Sequence, residues 1–75
     1  MYKGGDELEN KLSEHRKKFG LSQDKLAEKL RVSRQTIISI EKGRYNPSLP
    51  LAMLTAEIFQ TSVENIFTLE KEDYK

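Results

Sequence analysis

The side chains with the most obvious chemistry in this sequence are hydrogen-bonding groups rather than catalytic ones. Arg34 and Gln35 are adjacent, and Ile38 and Ser39 follow them on the outward side of the same predicted helix. An arginine fork matches O6 and N7 of guanine, a glutamine amide matches N6 and N7 of adenine, and an apolar side chain can contact the methyl group of thymine. The chemistry that these residues could do is therefore recognition of nucleobase edges.

Groups needed for catalysis or metal binding are scarce. The 75 residues include one histidine, His15, and no cysteine, and they contain no glycine-rich phosphate loop. We expect no enzyme, no metal, no cofactor, no disulfide and no small-molecule ligand. The first ten residues have no signal-peptide pattern, and no run approaches the roughly 20 apolar residues that cross a bilayer. We expect a cytoplasmic protein with no membrane partner.

Positive charge is concentrated in the middle of the chain. Residues 16–44 hold nine basic and three acidic residues, a net charge of +6, whereas residues 1–15 carry −2 and residues 45–75 carry −3. A basic patch is the electrostatic footprint of a polyanion partner. A solvated helical surface fits the same pattern, so charge alone leaves the partner open.

The elements that must position these residues are predicted as five short helices in a compact all-α bundle, with no strand. Apolar spacing, serine N-caps and glycine stops mark their limits. The predicted helices cover about residues 7–18, 23–30, 34–42, 49–59 and 63–67. In helix 4 we expect Leu51, Leu54 and Ile58 or Phe59 to face the core. We expect one domain over residues 7–69, with a loose arm over 1–6 and a polar tail over 70–75.

The connection between helices 2 and 3 is too short for an antiparallel pair. Only Arg31 and Val32 lie between Leu30 and the capping residue Ser33, so the two helices must cross steeply. Ala27 falls where they come closest, and a larger side chain would push them apart. This is helix-turn-helix geometry.

The stretch from Leu12 to Phe67 resembles the Cro/C1-type helix-turn-helix family, also called the XRE family. The resemblance implies a lambda repressor-like DNA-binding domain with its helix-turn-helix at helices 2 and 3. It also implies a bacterial, archaeal or phage transcriptional regulator, by default a repressor. Such a regulator acts on double-stranded DNA at the nucleoid. The strings that carry it are Gly20-Leu21-Ser22-Gln23, Leu26-Ala27, Val32-Ser33-Arg34-Gln35-Thr36-Ile37, Ile40-Glu41-Lys42-Gly43 and Tyr45-Asn46-Pro47-Ser48-Leu49.

The resemblance also implies residue roles. Helix 3 would be the recognition helix, with Arg34, Gln35, Ile38 and Ser39 against base edges in the major groove. Gln23 would contact a phosphate and brace the helix 3 glutamine. The full set of implied phosphate contacts is Gln23, Ser33, Thr36, Lys42, Arg44 and Asn46.

A structural role is implied for two charged residues. The family pairs an arginine of helix 1 with the glutamate that ends helix 3, which here are Arg16 and Glu41. We expect a largely buried, bidentate ion pair that fixes the recognition helix against the scaffold.

Three positions depart from the family pattern. Arg31 occupies a turn position that is usually glycine and that requires a left-handed backbone, and Gln60 replaces a usual glycine after helix 4. His15 stands where an apolar residue is common, and we interpret it as a half-buried, hydrogen-bonded histidine rather than a pH sensor.

The resemblance also bears on whether the partner is DNA or a protein, and on whether the chain forms a homodimer. The same fold can serve as a protein-interaction module, such as an antitoxin-like or accessory subunit, although the polar and cationic face of helix 3 favours DNA. Family members usually form homodimers on palindromic operators, with recognition helices about 34 Å apart. We expect such a dimer to use helix 5, Phe67, Leu69 and the tail.

Overall fold

The structure is a computed structural model that describes the backbone of residues 8–69 and the side chains of residues 10–68. All five predicted helices are present, and the all-helical class is confirmed. The predicted arm and tail, residues 1–6 and 70–75, lie outside the described residues. In chain order the elements are β1 (Leu8–Asn10), α1 (Leu12–Lys18), α2 (Gln23–Leu30), α3 (Arg34–Glu41), α4 (Leu49–Ile58), α5 (Val63–Ile66) and β2 (Phe67–Leu69).

Serines and glycines set the helix limits. The hydroxyls of Ser22, Ser33 and Ser48 each accept a hydrogen bond from the backbone N–H three residues ahead, at 3.0, 3.2 and 3.3 Å. Each bond satisfies one of the N–H groups that have no partner within the helix. Gly20 and Gly43, with φ of 69° and 75°, adopt the left-handed backbone after α1 and α3. These short polar signals define where α1 to α4 begin or end.

Two residues other than glycine also adopt the left-handed backbone. Arg31 has a φ of 60° and Gln60 a φ of 55°, at the two positions where the family usually has glycine. The prediction of a strained turn at Arg31 is confirmed, since it forms the left-handed C-cap of α2. This conformation costs an L-residue roughly 1–2 kcal/mol.

Small and branched side chains hold α2 and α3 at their crossing. Ala27 is 4% exposed, and Ile37 and Ile40 of α3 are buried beside it. The backbone N–H of Val32 donates to the carbonyl of Ala27 at 3.0 Å, which closes the turn. The helix-turn-helix therefore has the short, tightly packed connection that the sequence predicts.

A two-stranded ribbon, which the sequence analysis did not predict, joins the two ends of the described chain. β1 pairs antiparallel with β2, with Leu8 opposite Leu69 and Asn10 opposite Phe67. The expectation that the chain contains no strand is wrong at these six residues. Helix 1 consequently begins at Leu12 rather than near residue 7, and helix 5 ends at Ile66. Strands of three residues are too short to show a recognisable alternation.

The core has one unexpected contribution, from α4. Leu54 was expected inside but is 37% exposed, while Ala52 and Ala56 are each 5% exposed and face the core with Thr55. The hydroxyl of Thr55 donates to the carbonyl of Leu51 at 2.7 Å, which satisfies this buried polar group. The small side chains allow α4 to approach the bundle closely. The buried apolar residues are Leu12, Leu26, Ala27, Leu30, Ile37, Ile40, Ala52, Ala56, Phe59, Ile66 and Phe67.

Replacing Arg31 with glycine should stabilise the protein. Arg31→Gly removes the cost of the left-handed backbone but gives the unfolded chain more freedom, so we expect a net gain of about 0.5–1 kcal/mol in the free energy of unfolding. The control Lys29→Gly, in the last turn of α2, should lose about 0.5–1 kcal/mol. Urea unfolding measures both. Loss of stability in Arg31→Gly would contradict the strain at this turn.

Candidate nucleic-acid interface

The N-terminal half of α3 presents polar side chains on its outward face. Arg34 and Gln35 are exposed, and Ile38 and Ser39 are half-buried. The amide of Gln35 donates to the hydroxyl of Ser39 at 3.4 Å, one helical turn away. The first turn of α3 contains no acidic residue, so its partial positive charge is not offset within the helix. This face therefore presents hydrogen-bond donors and acceptors at Arg34 and Gln35, with the apolar side chain of Ile38 beside them.

A shallow cavity brings several of the predicted residues together. It has a volume of about 300 Å³. The hydroxyls of Ser33 and Thr36 lie 3.0 Å apart at the start of α3. The cavity therefore contains predicted base-contact and phosphate-contact residues side by side. Its lining residues are Ser33, Gln35, Thr36, Ser39, Arg44 and Tyr45.

Tyr45 is a member of this cavity that sequence reasoning missed. Its side chain is 48% exposed, and its phenol is a hydrogen-bond donor on a rigid ring. The signal was available, because an aromatic residue directly follows Arg44 in the turn after α3.

Arg34 is held by the first turn of α2. Its Nη2 donates to Oε1 of Gln23 at 3.5 Å, and its Nε lies 3.7 Å from Oδ1 of Asp24. The expectation that Gln23 braces the helix 3 glutamine is therefore wrong, since Gln23 contacts Arg34 and not Gln35. The contact between Asp24 and Arg34 was not predicted from the sequence. Both contacts are at the surface, with Arg34 and Asp24 side chains 59% and 77% exposed.

The charged pair behind this face is well shielded from water. Nε of Arg16 donates to Oε2 of Glu41 at 2.7 Å, and Nη2 lies 3.4 Å from Oε1. Their side chains are 11% and 10% exposed. Arg16 also donates from Nη1 to the carbonyl of Leu21 at 2.9 Å. Glu41 accepts a further hydrogen bond from Nε2 of Gln23 at 3.1 Å.

Polar contacts thus run without interruption from the interior to the outward face. Arg16 binds Glu41, Glu41 binds Gln23, and Gln23 binds Arg34. Each residue lies on a different element or turn from the one before it, so the contacts tie α1, α2 and α3 together. The orientation of Gln23 follows from them, because its amide nitrogen faces a carboxylate and its oxygen faces a guanidinium.

The remaining predicted residues lie beyond the C-terminal end of α3. Lys42 is the exposed C-cap of α3, and the backbone N–H of Arg44 donates to the carbonyl of Ser39 at 2.9 Å. The side chains of Arg44 and Asn46 are exposed at the same edge. This edge is therefore cationic and adjoins the cavity at Arg44.

The described lysines of α1 and α2 do not line this cavity. Lys25 lies 3.6 Å from Glu28 in an exposed pair whose side chains are 68% and 76% accessible. The exposed lysines of α1 and α2 are Lys17, Lys18, Lys25 and Lys29. His15 is half-buried, with Nδ1 3.4 Å from the carbonyl of Lys11 and its ring 5.8 Å from that of Phe59.

The described residues contain neither a metal-binding cluster nor a membrane-spanning helix. In residues 8–69 no group of histidine, cysteine, aspartate and glutamate is arranged to hold a metal ion. No helix within that range is both long and apolar enough to span a bilayer.

Comparisons with known proteins agree on one family. Residues 12–66 match the model of the family described as helix-turn-helix. A protein of Methanocaldococcus jannaschii named an uncharacterized HTH-type transcriptional regulator is 50% identical over 66 residues, covering 88% of this chain and 100% of its own. A Bacillus subtilis protein with the same description, YgzD, is 47% identical with the same two coverages.

A solved structure supports the fold. The crystal structure of a hypothetical transcription factor, NHTF, from Neisseria is similar with a TM-score of 0.68, over 81% of this chain and 70% of its own. At 21% sequence identity this similarity shows the arrangement of the helices and nothing further.

Removing one partner of the shielded ion pair should destabilise the protein strongly. Glu41→Ala leaves the Arg16 guanidinium with little water and no carboxylate, so we expect a loss of about 3–5 kcal/mol. That loss is comparable to the whole stability of a domain this small, about 3–5 kcal/mol. The control Glu28→Ala breaks an exposed pair and should cost at most about 0.5 kcal/mol. Urea unfolding followed by circular dichroism compares them, and equal effects would refute the structural role of the pair.

Proposed function

This chain belongs to the Cro/C1-type helix-turn-helix family of transcriptional regulators, and from that membership we propose that it reads the major groove of a specific operator with α3 and represses transcription. The observation that carries the proposal is the outward face of α3, where Arg34 and Gln35 are exposed beside a cationic edge. Because the apolar side of α3 is buried at Ile37 and Ile40, the polar side must face outward.

Each outward-facing residue of α3 would contact a different part of the base pairs. The Arg34 guanidinium would bind O6 and N7 of a guanine, and the Gln35 amide would bind N6 and N7 of an adenine. Ile38 would contact a thymine methyl, and Ser39 would donate to or accept from a neighbouring base. Because Ser39 accepts from Gln35 in the free protein, the two side chains would act on adjacent bases.

The residues around α3 would hold the phosphate backbone. Hydroxyls, amides and cations at helix ends contact phosphate oxygens and set the register of the protein on the duplex. Arg44 lines the same cavity as Gln35, which supports a phosphate contact next to a base contact. The proposed phosphate contacts are Gln23, Ser33, Thr36, Lys42, Arg44 and Asn46.

Repression by occupancy is the simplest mode of action for this domain. The relatives from Methanocaldococcus jannaschii and Bacillus subtilis are matched over 100% of their length. In this mode of action, control follows from whether the operator is occupied. Such a protein would work in the cytoplasm, at the nucleoid.

A protein-interaction module is the second candidate, favoured by exposed apolar side chains on α4. The salt dependence of binding separates the two candidates. Neutralising several phosphates releases counterions, so affinity for genomic DNA fragments should fall steeply as salt rises. Affinity that stays millimolar even at low salt would favour the interaction module.

Substitutions on α3 should change sequence preference at defined positions. Selecting bound duplexes from a random library with Arg34→Ala and with Gln35→Ala should relax the preference at one base position per half-site for each variant, because each lost bidentate contact contributes about 1–3 kcal/mol of discrimination. Lys29→Ala, which removes an exposed cation of α2, is the control and should keep the wild-type preference. Unchanged preferences in both α3 variants would show that another element reads the bases.

Homodimerisation on a palindromic operator also belongs to the proposal, but through a surface that differs in part from the expected one. Phe67 is only 7% exposed within a single chain, so it cannot anchor a dimer. Leu69 pairs with Leu8 through β2. We therefore drop Phe67 from the expected contact, keep helix 5 and add an exposed apolar face on α4; the use of Leu69 and the tail stays a prediction.

We assign the dimer contact to the groove between α4 and α5 and the ridge beside it. Leu49 and Met53, four residues apart on α4, are 67% and 56% exposed. The adjoining cavity, about 690 Å³, is lined by both of these and by Val63. No lysine or arginine occurs in residues 45–69, which disfavours DNA as the occupant. A ridge beside a groove on one face lets two copies fill each other's groove about a twofold axis.

A charge on this ridge should abolish cooperative binding of the second copy. We expect wild-type protein to bind the two half-sites of a palindromic operator cooperatively and Met53→Glu to bind them independently, because the glutamate would lose its water in the contact. Asn65→Glu, at an exposed position of α5 outside the groove, should behave as wild type. Cooperative binding by Met53→Glu, measured by sedimentation over a range of protein concentrations, would place the contact elsewhere.

A further inference from the structure

Asn10, which no sequence signal singled out, makes two different hydrogen bonds through one side-chain amide. Its Nδ2 donates to the carbonyl oxygen of Ile40 at 2.9 Å, and its Oδ1 accepts from the backbone N–H of Leu12 at 3.3 Å. Turning the amide over would oppose donor to donor and acceptor to acceptor, so the two contacts fix its orientation. One residue thus connects the start of α1 with the last turn of α3.

The bond to Ile40 supplies a partner at the end of the recognition helix. The last carbonyls of a helix have no partner in the helix itself. The carbonyl of Ile40 accepts from the backbone N–H of Gly43 at 2.9 Å, and Asn10 adds a second donor from outside the helix. A carbonyl oxygen has two lone pairs and can accept both. The end of α3 is therefore attached to a different part of the fold.

The ribbon holds Asn10 in place for this task. Asn10 lies opposite Phe67 in the β1–β2 pair, and the next residue, Lys11, donates its backbone N–H to the carbonyl of Ile66 at 2.8 Å. Ile66 and Phe67 are buried, at 0% and 7% exposure. The Asn10 side chain therefore projects from a backbone that is anchored in the core.

We propose that Asn10 is a positioning residue for DNA recognition, which sets the angle of α3 by fixing its C-terminal end to the ribbon. The inference rests on the proposed function of α3. Arg16 holds the same end of α3 through Glu41, so this end has polar attachments from both α1 and β1 in addition to its packing on α2. The bond from Asn10 adds a constraint from a direction that α1 and α2 do not supply.

The length of α3 explains why its far end is sensitive to this attachment. Eight residues span about 12 Å. A rotation of about 5° at the C-terminal end therefore moves the N-terminal end, with Arg34 and Gln35, by roughly 1 Å. Recognition geometry must be held within about 0.5 Å. Loss of the Asn10 bond should thus lower operator affinity more than affinity for random DNA.

The decisive variant is Asn10→Asp. A carboxylate keeps the acceptor for Leu12 N–H and suits the start of a helix, but it cannot donate to the carbonyl of Ile40. We expect operator affinity to fall about five- to tenfold with less than a twofold change on random duplexes. Asn65→Asp is the matched control, because it adds the same charge at an exposed asparagine of α5 and should leave the ratio unchanged. Asn10→Ala, which loses both bonds without adding charge, is the second variant if Asn10→Asp does not fold.

Amide hydrogen exchange provides a readout that does not depend on DNA. Without the bond from Asn10, the amides of Gly43 and Arg44 at the end of α3 should exchange at least about fivefold faster, while those of α5 stay protected. A purely structural role would lower the melting temperature but leave the ratio of operator to random affinity unchanged at temperatures where every variant is folded. That result, or unchanged exchange at Gly43 and Arg44, overturns the inference.

Failure of the proposed function would look different. If wild-type protein selects no sequence from a random library, α3 is not a reader, and the role of Asn10 in recognition falls with it whatever the exchange rates are. If wild-type protein is selective and the Asn10 variants keep the same ratio of operator affinity to random-DNA affinity, the proposed function stands and the role of Asn10 is refuted.

Discussion

The shielded ion pair between Arg16 and Glu41 is the interaction on which the orientation of α3 depends. Removing two charges from water costs several kcal/mol each, and their attraction offsets this only when the remaining donors and acceptors are also satisfied. Here Arg16 additionally binds the carbonyl of Leu21, and Glu41 additionally accepts from Gln23. The pair is thus part of a satisfied network, and it specifies one arrangement of α1 against α3.

The same network reaches the outward face of α3 at Arg34. Gln23 is oriented by Glu41 and in turn contacts Arg34, whose guanidinium also lies near Asp24. A long arginine side chain loses up to about 2 kcal/mol of rotamer entropy when it is immobilised. The exposed contacts of Arg34 would offset part of that cost in the free protein. They are weak enough for Arg34 to give them up when it binds another group.

Local features of the structure could be predicted from the residues themselves, whereas long-range contacts were anticipated only where the family resemblance implied them. Serine caps, glycine stops and the left-handed residues Arg31 and Gln60 depend on neighbouring residues only. The ribbon depends on pairing between distant segments, and Leu8 also fits the apolar spacing of helix 1. In α4 nearly every side is apolar, so periodicity could not distinguish the exposed Leu54 from the buried Ala52. At the candidate site, residue types identified the outward face of α3 and the family resemblance implied the Arg16–Glu41 pair, but the contacts of Asn10, Asp24 and Tyr45 depend on side-chain reach.

Because β1 and β2 lie at opposite ends of the described residues, the ribbon cannot form until its second strand has been synthesised. β1 has no strand to pair with until residues 67–69 have left the ribosome. Contacts between segments this far apart in sequence form late and slow folding. A nascent chain would therefore contain the residues of α3 before the ribbon that holds the C-terminal end of α3.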